Sequence, residues 1–164
     1  MTDSHAGNTA FRWTDTFLRT LQSYGLEHIV ISPGSRSTPL TLAAASNSQL
    51  QKHVILDERS AAFTALGVGK ATNVPAVLIC TSGTALANYY PAVIEALESG
   101  IPLILATADR PPNLRATGAN PAIDQQKIFG DYPVFYHDLG EPQAEKNDFD
   151  RLHLLAQHAF TLSR

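Results

Sequence analysis

Asp57 and Glu58 stand side by side where the apolar run Val54-Ile55-Leu56 stops and a stretch rich in small residues begins. A carboxyl at such a junction can cap the helix that follows or favour its positive end. It can also hold or accept a proton in a cleft. Spacing alone favours the plainer use, with Asp57 as the cap and Glu58 at the positive end of the helix. Two arginines occupy comparable places. Arg36 lies in SPGSRS (32–37) and Arg110 in TADRPP (107–112), each just after an apolar run. Arginine grips a carboxylate through a planar two-point fork, although a solvated ion pair is its ordinary use. Thr81-Ser82-Gly83-Thr84 follows a third apolar run. Its glycine permits close approach of a ligand, and a plain turn needs the same residues.

The elements that must position these residues alternate in type. Trp13, Phe17, Leu18 and Leu21 mark an amphipathic helix that stops near Gly25. HIVIS (28–32) reads as a buried strand, followed by a helix over 38–46 with a Thr cap and Pro39 just inside it. A second buried strand is expected at 54–56 and a helix at 59–71. Further strands are expected at 76–80 and 102–108, with a helix between them at 86–99. Pro91 kinks or shifts that helix, because it has no N–H. A short helix is expected over 124–129, a fifth strand at 134–137, a linker at 139–148, and a last helix marked by Leu152, Leu155, Ala156 and Ala159. Strands alternating with helices predict an α/β fold: a mainly parallel sheet with helices on both faces. Ligands of such sheets bind beyond the carboxyl ends of the strands. SPGSRS, LDERS, TSGT and TADRPP all fall there, and this recurrence is the strongest functional signal in the chain.

Composition narrows the classes of function. Hydrophobic residues make up 44% and charged residues 16%, which suits one globular domain rather than a disordered chain. A formal net charge of -3, with lysines and arginines scattered, gives no footprint for nucleic acid or an anionic membrane. A single cysteine, Cys80, excludes an internal disulfide and suits a reducing, cytoplasmic location. No apolar run approaches the length of a membrane span. GVGKA (67–71) is not a phosphate loop: Thr64 occupies the place of the first glycine and Ala71 follows Lys70. Close packing on small residues explains it better. The six histidines lack metal-ligand spacing, so no metal site is expected on this chain.

SPGSRSTPL (32–40), DERSAAFTALGVGKA (57–71), TSGTALANYYPAVIEA (81–96) and TADRPP (107–112), in that order, give the chain a close resemblance to one family. It resembles the N-terminal, pyrimidine-binding domain of the thiamine diphosphate-dependent 2-succinyl-5-enolpyruvyl-6-hydroxy-3-cyclohexene-1-carboxylate synthases of menaquinone or phylloquinone biosynthesis. DER and TSGT occur in many thiamine diphosphate enzymes, whereas PGSRSTPL with TADRPP is more specific. The resemblance implies decarboxylation of 2-oxoglutarate and addition of the succinyl-semialdehyde unit to isochorismate. It implies that Glu58 bonds a ring nitrogen of the cofactor's aminopyrimidine and is catalytic. Thr81, Ser82 and Gly83 would line the cofactor pocket. Ser35, Arg36, Arg110 and Asn120 would contact the isochorismate-derived part, although turn-making also explains Ser35 and Asn120. Pro121 stands where the family places a substrate-binding Gln, so either Gln125 or Gln126 takes that contact or it is absent.

By the same resemblance, residues 1–164 form one domain of a three-domain enzyme. The cofactor's diphosphate is held through Mg²⁺ or Mn²⁺ by a Gly-Asp-Gly motif that this chain lacks, since GDY (130–132) has no second glycine. The 164 residues alone are therefore expected to be inactive; their uncovered apolar surface is expected to drive self-association as a two-fold dimer, and the enzyme is expected as a homodimer or a dimer of dimers. The helix bearing Tyr89 and Tyr90 and the helix 59–71 are the expected contact surfaces. Two other readings remain open at this point: a different thiamine diphosphate enzyme, such as an acetolactate synthase, and a non-catalytic module that binds a small anion. The second has no use for Glu58.

Overall fold

The structure is a computed structural model, and it describes residues 3–111 and 123–164. Asn120 and Pro121 lie outside the described residues. The elements run α1 (Asp3–Ser23), β1 (His28–Ile31), α2 (Thr38–Ser46), β2 (Gln51–Val54), α3 (Glu58–Thr72), β3 (Ala76–Cys80), α4 (Tyr90–Ser99), β4 (Leu103–Thr107) and α5 (Lys146–Leu162). Short 3-10 turns at Ser35–Ser37 and Leu86–Tyr89 lead into α2 and α4. The strands pair in the order β2-β1-β3-β4, and every pairing is parallel.

Side chains alternate across a strand, so β1, β3 and β4 each feed two cores. Ile29, Ile31, Val77, Ile79 and Ile104 pack with Trp13, Phe17, Leu21, Ala43, Leu152 and Phe160 from α1, α2 and α5. Val30, Leu78 and Cys80 face the other way, onto Ala61, Ala65, Tyr89 and Ala92 of the α3 and α4 layer. Helices therefore cover both faces, as expected. Ile29, Leu21 and Leu78 are wholly buried, and each such side chain contributes about 1.5–3 kcal/mol relative to exposure. Gly69 is fixed by this packing, because a Cβ there would come within 2.4 Å of the Pro102 carbonyl oxygen. Gly67 has open space around it, so close packing explains only one of the two glycines of GVGKA.

Three local expectations fail. The second strand is not the apolar run 54–56 but the polar run Gln51–Val54, paired with His28–Ile31. It is an edge strand and not buried: Val54 is 66% exposed and Leu56 is 80% exposed. Apolar content marked the wrong residues because an edge strand can face water. Residues 134–137 form no strand, and 124–129 form no helix, with a turn over 126–131 instead. Among the described residues no strand pairs with 134–137, and Val134 and Tyr136 are exposed. Pro91 does shift its helix: 86–89 form a 3-10 turn and α4 starts at Tyr90 with the proline in its first turn. The Thr38 hydroxyl donates to the Ser35 carbonyl, and no side-chain cap closes the start of α2.

Residues 139–145 are irregular but tied down. Asp148 accepts the Trp13 indole N–H at 2.6 Å, the Arg151 guanidinium at 2.5 Å and the Gln143 N–H at 3.0 Å. Arg151 also donates to the Leu139 carbonyl at 2.9 Å. Burial of the Asp148 carboxyl is outweighed by these donors, Arg151 foremost, and its pKa falls below the ordinary value. No helix of the described residues is long and apolar enough to cross a membrane.

Candidate functional site

From β1 the chain moves to β2 on one side, then crosses back to β3 on the other. The strand order therefore reverses between β1 and β3, and the crevice outside their carboxyl ends is where such a sheet binds ligands. The polar stretches singled out in the sequence emerge around this crevice: 32–37 after β1, 55–58 after β2, 81–84 after β3 and 108–110 after β4.

A chain of hydrogen bonds joins these exits in spatial order. The Ser32 hydroxyl donates to the Ile55 carbonyl at 2.9 Å, joining the exits of β1 and β2. Ser32 also donates its N–H to the Ile79 carbonyl at 2.8 Å. The Arg36 N–H reaches Thr81 Oγ1 at 3.4 Å, joining the exits of β1 and β3. Gln125 joins those of β3 and β4: its Oε1 accepts the Gly83 N–H at 2.7 Å and its Nε2 donates to the Ala108 carbonyl at 3.0 Å. Close packing reinforces the second link. A Cβ on Gly34 would lie 2.4 Å from Thr81 Cβ, so only glycine lets the two loops meet.

Asp57 and Glu58 divide their work. Asp57 is the N-cap of α3, and its Oδ1 accepts the Ser60 N–H at 2.8 Å. That bond, first among its causes, lowers the Asp57 pKa. Glu58 is the first residue of α3 and is half-buried, so its carboxyl is left for other uses. Cys80 and Tyr89, in the layer below, both feel its charge. Burial pushes the Cys80 thiol up to about 12; the Tyr89 hydroxyl offsets part of this and the Glu58 carboxylate adds to it. Burial likewise raises Tyr89, with Cys80 and Glu58 adding to the shift and Ser32 opposing it. Both groups are thus held neutral. The Tyr89 hydroxyl is wholly buried beside Cys80 and Ser32.

Ser82 is 3% exposed and Gly83, at φ +90°, is buried in the turn. Thr81 is half-buried between that turn and Gly34. Ser35 and Arg36 are exposed on the 3-10 turn after β1, while Arg110 is partly buried and donates its N–H to Asp109 Oδ1 at 2.6 Å. Arg36 and Arg110 are among the residues lining one cavity of about 720 Å³ beside β4, the last strand of the sheet among the described residues. Glu58 and Thr81–Gly83 do not line it. Its interior is walled by Phe17, Val93, Ile104 and Leu139, so it follows β4 rather than the acid. Among the described residues, no group of three or more His, Cys, Asp and Glu could hold a metal ion.

Gln125 was open to a substrate contact in place of Pro121, but its amide is committed at both ends to the backbone. Gln126 is exposed and points toward Asp138. Sequence reasoning did not find Gly34 as a packing residue or Gln125 as a strut. A glycine beside a proline reads first as a turn, and the partners of Gln125 are far away in the chain.

The chain is similar to known proteins of one family. Residues 11–128 match the family model described as "Thiamine pyrophosphate enzyme, N-terminal TPP binding domain". The chain is 49% identical over 158 residues to a 2-succinyl-5-enolpyruvyl-6-hydroxy-3-cyclohexene-1-carboxylate synthase of Haloarcula marismortui, covering 96% of this chain and 27% of that protein. It is 56% identical over 133 residues to the Crocosphaera subtropica protein of the same name, covering 81% and 23%. It is 54% identical over 134 residues to that of Gloeothece citriformis, covering 82% and 23%. The chain thus spans about a quarter of the length of these curated relatives.

Proposed function

Because this chain belongs to the family of thiamine pyrophosphate enzyme N-terminal domains, we propose that it is the pyrimidine-binding part of a longer 2-succinyl-5-enolpyruvyl-6-hydroxy-3-cyclohexene-1-carboxylate synthase. The longer enzyme joins a unit from 2-oxoglutarate to isochorismate, with loss of carbon dioxide, in menaquinone biosynthesis. One observation carries the reading: a half-buried carboxyl, Glu58, stands on the first turn of α3 at the crevice where the strand order reverses.

The residues present suit the pyrimidine end of thiamine diphosphate. Glu58 offers an acceptor or a shared proton for a ring nitrogen, and Thr81 a hydroxyl. The buried turn at Ser82-Gly83 offers a wall without bulk. When bound, the cofactor supplies a thiazolium carbon able to act as a nucleophile. Glu58 holds the proton at the pyrimidine ring. The arginines of the neighbouring exits, Arg36 and Arg110, bind and orient carboxylates of the substrate through their forked donors, and Ser35 and Asn120 are assigned to the same substrate. The diphosphate and its Mg²⁺ or Mn²⁺ belong to a later part of the longer polypeptide.

Val54, Leu56 and Phe63 are exposed on β2, its exit and α3, close in the chain to the acid, which suits a second subunit in a homodimer. Tyr89, expected on such a surface, is instead core; Tyr90 and Leu97 of α4 are exposed. The enzyme is placed in the cytoplasm. The test is an assay of the complete polypeptide and of the 164-residue chain with thiamine diphosphate, Mg²⁺, 2-oxoglutarate and isochorismate. Turnover by the complete polypeptide and none by the chain alone is expected. Steady product from the chain alone, or none from the complete polypeptide, defeats the reading.

A further inference from the structure

Gln125 belongs to no helix or strand, yet it is only 7% exposed. Its partners fix its orientation: a backbone N–H at Gly83 can only donate and a backbone carbonyl at Ala108 can only accept. Removing the amide leaves the buried Gly83 N–H and the half-buried Ala108 carbonyl unpaired, which costs more than the bonds themselves contribute. The Gly83 N–H is therefore unavailable to a ligand. What the turn offers is a surface, and the depth of that surface is set from β4. Ala108 lies two residues before Arg110, so the same strut fixes the point from which that arginine leaves the sheet.

We propose that Gln125 is a positioning residue: it holds the 81–84 turn against the exit of β4 and so sets the shape of the pocket for the cofactor's pyrimidine. This rests on the reading of Thr81–Gly83 as the cofactor-side turn. Gln125 acts through the turn and touches neither cofactor nor substrate.

Two variants of the complete synthase separate this role from a merely structural one. Gln125→Met keeps the length and loses both bonds. Gln125→Glu keeps the shape, but an ionised carboxylate cannot donate to the Ala108 carbonyl, whereas a protonated carboxyl both donates and accepts. Burial against a carbonyl raises the pKa of such a group. The readout is the KM for thiamine diphosphate relative to wild type at the same pH. Gln125→Glu is expected to show a ratio of roughly ten at about pH 8 that returns toward one by about pH 5.5, and Gln125→Met a raised ratio at both. A ratio near one for either variant at pH 8, or a Gln125→Glu ratio that ignores pH, overturns the proposal. Amide exchange at Gly83 in the 164-residue chain tests the strut without any cofactor. Faster exchange in Gln125→Met supports it and an unchanged rate overturns it. Failure of the cofactor-side reading shows elsewhere, as an unchanged exchange of the cofactor's C2 proton in Glu58→Gln.

Discussion

At the exit of β3, Ser82 is 3% exposed, Gly83 is tied to Gln125 and Thr81 is wedged against Gly34. At the exit of β2, two strands away, Leu56 is 80% exposed and Glu58 only half-buried. The first region is finished by the chain itself, through packing too tight for a methyl group. The second is a capped helix start with apolar side chains in water. The difference teaches that a site can have a rigid wall made locally and a reactive acid whose surroundings are left to another surface. Rigidity at the wall protects shape; exposure at the acid leaves room for a ligand to complete its environment.

The sharpest way to break this contrast is at the acid. Glu58→Gln keeps size and hydrogen bonding but cannot share a proton in the same way. In the complete synthase, exchange of the bound cofactor's thiazolium C2 proton is expected to slow by about 10²–10⁴-fold, the range of general acid–base contributions. Melting of the domain should barely change, because Glu58 is partly exposed and Asp57 supplies the cap. An unchanged exchange rate would remove Glu58 from the chemistry and leave the β2 exit as an ordinary helix start.

The wall predicts the opposite pattern. Gly34→Ala puts a Cβ 2.4 Å from Thr81 Cβ, a branched atom next to backbone that cannot swing away. Overpacking of this kind costs about 1–3 kcal/mol, and each kcal/mol lowers the melting temperature of a domain this size by about 2–4 °C. Calorimetry or thermal circular dichroism measures it. Melting at the wild-type temperature would show that the exits of β1 and β3 are not locked, and the contrast between the two regions would dissolve.

Legibility in the sequence followed burial. HIVIS, AVLIC and PLILATA are continuous apolar runs bounded by turn residues, and β1, β3 and β4 appear there to within a residue at each end. β2 is polar because it borders water, so no apolar signal marks Gln51–Val54. The apolar residues that follow it are exposed at the exit. The four exits were readable because each combines polar or glycine residues with the end of a strand. Gly34 and Gln125 were not, because their reasons lie across space, at Thr81, Gly83 and Ala108. The role proposed for Glu58 came from family resemblance; the cap at Asp57 was readable from its place in the chain, and the structure supplies its partner, the Ser60 N–H.

That division supplies the smallest expected effect. Asp57 caps α3 through the Ser60 N–H, and its pKa is lowered by that bond. The sign follows: a carboxyl with a depressed folded pKa adds stability above its unfolded value, 3.8, and that stability disappears as pH falls through the folded value. Asn accepts the same bond as a neutral side chain and is an equally good cap, whereas Ala is not. Near neutral pH, Asp57→Asn should therefore melt almost with wild type, and Asp57→Ala slightly lower. As the pH drops below 3.8, wild type should lose this margin while Asp57→Asn keeps it. Parallel melting curves for wild type and Asp57→Asn down to acid pH would mean that the charge of Asp57 contributes nothing at the helix start. The two acids at the β2 exit could then no longer be told apart by what each does for the fold.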